Sequence, residues 1–226
     1  MPSPKRFLSL LLLLLSLCAL QAAPVRIGIE GSVNYSIIST ETRWDNTYWY
    51  NFVGLDIAIP VKACLSEHFA LTSGIRYIMK SAYYKHEYSG SVDDEYAVLH
   101  HFLEFPLTAE FMYSTGKGLS LILGAGGYLG VRLAETHAGR SSTLLNGSPF
   151  YIKNTEINSN DNRFDGGLLA EAGVGFPKKH GDLYVKARYQ HSLTSLAKDT
   201  QRDTAHTYIH TLSLSVGYLF GRSGKK

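Results

Sequence analysis

Between His210 and Tyr218 the chain changes character at every residue. His210, Leu212, Leu214, Val216 and Tyr218 fall on one face of an extended strand, and Thr211, Ser213, Ser215 and Gly217 fall on the other. A strand with one greasy face and one face of small polar groups, finishing on Tyr218 and Phe220, fits a wall with lipid outside and a narrow wet lumen inside. Beyond residue 22 no continuous apolar run reaches the roughly 20 residues that a membrane-spanning helix needs. Any crossing must therefore be made by strands in a closed barrel.

The same two-residue period recurs in seven earlier segments. They are 25–37, 49–59, 69–80, 101–111, 119–133, 167–176 and 182–190, with Pro60 expected to end the second and glycines diluting the sixth. Short connections (61–68, 113–118, 177–181) alternate strictly with long polar ones (39–48, 82–100, 134–164, 192–207), as tight periplasmic turns alternate with extended outer loops. The expected fold is an eight-stranded antiparallel up-and-down transmembrane β-barrel. Trp44, Tyr48, Trp49, Tyr50, Tyr83, Tyr84 and Tyr88 fall near outer strand ends, either as a headgroup-level aromatic girdle or as simple caps of half-exposed strands.

The other end of the chain reads as an export signal: Lys5 and Arg6, then a leucine-rich run from Phe7 to Leu17, then small residues from Ala19 to Ala23. Cleavage is expected near Ala22, which divides the chain into a signal peptide (1–22) and a barrel domain (23–226). Cys18 raises a lipoprotein signal, but Leu17 stands where a small residue is needed. Only Cys64 survives cleavage, so the mature chain has no internal disulfide. The formal charge of +3 loses Lys5 and Arg6 with the signal, and no basic patch argues for nucleic acid.

A soluble lipocalin-like barrel would also have about eight strands and a signal. Its charged faces would meet water, whereas here they are interleaved with glycine and serine as in a crowded bore. The inward set comprises Arg76, Lys80, Arg132, Lys186 and Arg188 with Glu30, Asp56, Glu104, Glu110 and Glu171. In so narrow an interior, bare charges are costly unless paired. The set reads first as a salt-bridge plug and second as the lining of a gate or small pore.

The segment His101 to Phe111, followed by Leu121 to Gly130, resembles the core strands of the PorT-like outer-membrane β-barrel family, and Phe69 to Ser81, with Gly74, Tyr77 and Lys80, resembles the strand before them. That resemblance implies a small barrel of the cell envelope whose best-known relatives take part in secretion-system assembly rather than catalysis.

A lipid-modifying enzyme would need a serine and a histidine near each other at the lipid interface. His191 with Ser195, or His206 and His210 with Ser213, offers that chemistry on paper, without a matched motif. His100 and His101 face opposite sides of a strand and cannot share a metal. No zinc spacing or phosphate-binding loop is present, and no cofactor is expected. The sequence thus predicts an integral outer-membrane barrel with a structural or interaction role. Its expected partners are outer-membrane lipid, the barrel-assembly machinery during insertion, and an envelope protein or surface ligand met through the outer loops. A small pore and a lipid-modifying enzyme are the alternatives.

Overall fold

A computed structural model describes residues 24–40, 47–88, 91–116, 118–141, 149–155, 161–196 and 206–221. The expected signal segment (1–22) and Trp44 lie outside the described residues, as do the side chains of Tyr48, Trp49 and Tyr88. The strands are β1 (Val25–Thr40), β2 (Thr47–Cys64), β3 (Phe69–Tyr88), β4 (Ser91–Ser114), β5 (Ser120–Ser141), β6 (Pro149–Thr155), β7 (Phe164–Lys178), β8 (Gly181–Ser192) and β9 (Thr207–Phe220). Eight of them close an antiparallel barrel in the order β1, β2, β3, β4, β5, β7, β8, β9, with β9 returning to β1. The ninth, β6, pairs with the upper part of β5 (Glu135 to Arg140), beyond the stretch Ser120 to Val131 that pairs with β7.

The packing is inverted relative to a water-soluble protein. On β9, Leu212, Leu214 and Val216 are 50%, 61% and 53% exposed, while Ser213 and Ser215 are 2% and 0% exposed. Ile27, Ile57, Leu107, Leu123, Leu129 and Leu168 point outward in the same way, and charged residues fill the inside. A continuous outer coat of large aliphatic side chains is stable only against hydrocarbon. Among the described residues there is no helix long and apolar enough to cross a membrane.

Three expectations about boundaries are corrected. Pro60 does not end its strand, because β2 continues to Cys64 with Pro60 facing Gly74 of β3. A Cβ on Gly74, whose φ is +148°, would stand 2.3 Å from the Ile59 carbonyl oxygen, so glycine supplies the irregular backbone that lets a proline sit here. Within the expected loop 82–100 β3 runs on to Tyr88 and β4 starts at Ser91, and within the expected loop 134–164 β5 runs on to Ser141 and β6 is added. These extensions stand above the apolar band, where both faces of a sheet can be polar. Ring contacts tie them together across strands: Tyr84 to Tyr96 at 4.8 Å and Tyr96 to His137 at 5.1 Å.

The ladders of the wall are interrupted at several places, one of them beside the lumen network. Between Ser73↔Leu107 and Arg76↔Glu104 the β3–β4 ladder is interrupted opposite Pro106, which has no N–H to give. The Ser73 hydroxyl donates to the Pro106 carbonyl at 2.8 Å instead.

Where the circle closes, Arg26 of β1 acts as a clasp. Its Nη1 meets Asp182 of β8 at 2.6 Å, its Nη2 donates to the Leu219 carbonyl at 3.1 Å, and its Nε donates to the Phe220 carbonyl at 3.5 Å. Arg26→Ala is expected to lower barrel stability by about 1.5–3 kcal/mol, the range for hydrogen bonds to charged groups. A urea titration in detergent micelles, followed by tyrosine fluorescence, measures it.

Candidate functional site

The inward faces of six barrel strands build one ion-paired network. Alternation fixes which side chains enter it, and antiparallel register fixes which of them meet. Glu30 of β1 is the hub. Its Oε1 accepts from Arg76 Nη2 at 3.1 Å and from Arg188 Nη1 at 3.0 Å, and its Oε2 accepts from the Tyr184 hydroxyl at 2.8 Å. Arg188 passes the chain to Glu171 at 2.9 Å, Glu171 to Lys186 at 3.1 Å, Lys186 to Glu110 at 3.2 Å, and Glu110 to Lys62 at 2.6 Å. The run therefore crosses the bore from β3 through β1, β8, β7 and β4 to β2, and every member is buried.

A second group sits around Lys80, which is fully buried. Its Nζ lies 2.9 Å from Glu104 and 2.5 Å from Asp165, with the rings of Phe102 and Tyr128 centred 5.0 Å and 4.7 Å away. Gln190 donates to the other oxygen of Glu104 at 2.9 Å, and the Ser192 hydroxyl donates to Asp165 at 2.6 Å. A cavity of about 20 Å³ bounded by Glu30, Thr72, Arg76, Thr108 and Arg188 opens beside the ladder break. It has room for a single water.

Of the residues singled out from the sequence, Arg76, Lys80, Glu104, Glu110, Glu171, Lys186 and Arg188 are brought together, with Glu30. Asp56 joins more loosely, 3.9 Å from Arg76. Arg132 stands apart, at the outer mouth, where it meets Glu135 at 3.4 Å and Asp161 at 3.0 Å. Glu135 also takes His100 at 3.0 Å and His137 at 2.8 Å. Burial raises the Glu135 carboxyl, but the hydrogen bonds and charge of the two imidazoles outweigh it and hold the group well below the usual carboxylate range.

Sequence reasoning missed Lys62, which fell in an expected turn, and Asp165, which fell between the expected loop 134–164 and the expected strand 167–176. Extending the parity of β2 past Pro60 and that of β7 back from Gly167 would have found both. The paired chemistry sought in His210 and Ser213 is not assembled, because the two side chains leave opposite faces of β9. His191 is exposed on the outer wall, and Ser195 Oγ accepts the Thr207 N–H at 3.1 Å. Among the described residues no cluster of three or more His, Cys, Asp or Glu converges on a metal position.

Comparison with known proteins agrees with this architecture. Residues 20–198 match the family model described as outer membrane protein beta-barrel domain. No curated protein matches in sequence. Among solved structures, neisserial surface protein A is 14% identical with a TM-score of 0.48, covering 86% of this chain and 96% of that one. OprG from Pseudomonas aeruginosa is 10% identical with a TM-score of 0.49, covering 88% and 97%. The attachment invasion locus protein Ail of Yersinia pestis, solved with the heparin analogue sucrose octasulfate, is 15% identical with a TM-score of 0.40, covering 87% and 99%. An apolar outer wall, a charged bore and the family match lead to one assignment: this chain is an integral outer-membrane protein and belongs to the outer membrane protein β-barrel domain family.

Proposed function

We infer that this barrel is a sealed structural or interaction protein of the cell envelope, with its working surface outside the membrane rather than in its bore. One contrast carries the reading. The lumen is spanned by buried ion pairs, while β3, β4 and β5 run for 20, 24 and 22 residues where about 9–11 suffice to cross a bilayer. The excess strand builds a tall lip, extended sideways by β6, and such rigid outer elements are where a barrel carries recognition. An envelope protein or surface ligand is the partner class, and insertion relies on the barrel-assembly machinery. The 69–81, 101–111 and 121–130 segments support a place among PorT-like members and a role in assembly rather than catalysis.

Replacing residues 85–95 with a two-residue turn, which keeps the Tyr84↔Tyr96 register, tests the reading. The shortened barrel is expected to insert and migrate as a folded species, but to lose the crosslinks that the full-length protein makes in intact outer membranes. Unchanged crosslinks would refute the role of the lip. Steady ion conduction by the wild type in planar bilayers would favour the pore, and altered lipid acylation on deletion of the protein would favour an enzyme.

A further inference from the structure

His191 and His210 stand side by side on the lipid-facing wall, one step beyond the Gln190↔Thr211 pair in the β8–β9 register. Their rings are parallel within 3° and centred 4.4 Å apart. Below them the wall is hydrocarbon-compatible: Leu212, Leu214 and Val216 on β9, and Leu183, Val185 and Ala187 on β8. His210 lies eight residues from Tyr218, the aromatic at the opposite edge. At about 3.4 Å per residue and a tilt of roughly 35–45°, that is about 20 Å of height, close to the apolar band of a barrel, which is about 25 Å tall. The pair therefore sits at the outer headgroup level.

The tautomer follows from the backbone. The Ser192 N–H donates to Nδ1 of His210 at 3.2 Å, so that nitrogen is an acceptor and the ring proton resides on Nε2. The Tyr189 hydroxyl lies 3.5 Å from Nδ1 of His191, a contact that either tautomer of that ring can make. Neither Nε2 meets a protein acceptor among the described residues. The His210 Nε2–H donor and the stacked His191 ring thus stand together directly above an apolar wall, where a donor left unpaired is costly. Lipid carries strong acceptors at this height in its phosphates.

We propose that His191 and His210 form a site for the phosphate of an outer-leaflet lipid headgroup, the His210 Nε2–H donating to one non-bridging oxygen while the stacked His191 ring packs beside it. The site is distinct from the lip, which β3 to β6 carry elsewhere on the rim, and from the lumen behind it. An aromatic girdle alone would need only flat amphipathic rings, so the decisive variant keeps the rings and removes the donor: His191→Phe with His210→Phe.

Native mass spectrometry of detergent-extracted barrel supplied with phosphatidylglycerol reads the site. The wild type is expected to retain the lipid about tenfold better than the double phenylalanine variant, as loss of one hydrogen bond to a charged group requires. Neither protein is expected to retain phosphate-free digalactosyl diacylglycerol. Equal retention of phosphatidylglycerol by both proteins would overturn the proposal and leave a plain girdle. The wild type supplies a second measurement that needs no variant. The imidazole 15N signals of His191 and His210 are expected to move on titration with phosphatidylglycerol and to stay fixed with the galactolipid. Equal movement with inorganic phosphate in lipid-free micelles would overturn the assignment to lipid.

Discussion

Lys80→Met is expected to destabilise the barrel by about 3–5 kcal/mol, the cost of leaving buried partners without their counter-charge. Methionine preserves most of the volume between Phe102 and Tyr128, so packing changes little. What is lost is the only cation within bonding distance of both Glu104 and Asp165 among the described residues. Neutralising the two acids as well, with Glu104→Gln and Asp165→Asn, is expected to restore most of the loss, since removing a whole buried ionic group is often close to neutral. Denaturant titrations of the single and triple variants in the same detergent make the comparison. A single-variant loss below about 1 kcal/mol, the value of an exposed pair, would show that water reaches Lys80 and that the bore is open.

Leu214→Arg is expected to cost about 2–4 kcal/mol in a lipid bilayer, the depth-dependent penalty for arginine near the midplane of a barrel wall. Leu214 lies midway between His210 and Tyr218 and is 61% exposed. In water an exposed leucine exchanged for arginine would change stability by no more than about 0.5 kcal/mol. The substitution thus reads the medium rather than the packing. Reversible unfolding in phospholipid vesicles is the measurement, and a cost that does not fall when the arginine is moved to position 208, toward the interface, would contradict the placement of the apolar band.

The barrel strands were legible from the sequence because hydrocarbon on one side and packed charge on the other enforce alternation within the band. Leu212, Leu214 and Val216 against Ser213 and Ser215 show the rule at full strength. Above the band the constraint vanishes. Tyr83 and Tyr84 are adjacent on β3, the first giving its hydroxyl to Glu95 outside and the second packing at a tilt on Tyr96 inside. Polar and aromatic residues therefore occupy both faces, and 82–88 and 91–100 look like loop when they are strand. Pro60 misled for a different reason: its missing N–H is tolerated because the partner strand carries its irregularity at Gly74, a tertiary fact. The charged set of the lumen was readable by parity, but its pairing was not. Arg132 shares the parity of Glu104 and Glu110, yet its height on β5 takes it to Glu135 and Asp161 at the mouth.

The Arg26 clasp carries a kinetic consequence. Its bonds join positions 156 to 194 residues apart along the chain, so they can form only once every intervening hairpin has registered and the loop-closure entropy of the whole ring has been overcome. Contacts made after the rate-limiting barrier leave the folding rate alone and govern how fast the native state is lost. Arg26 thus sets the lifetime of the inserted barrel more than the speed of its assembly, and the seam between β1 and β9 is where the finished wall would first unzip.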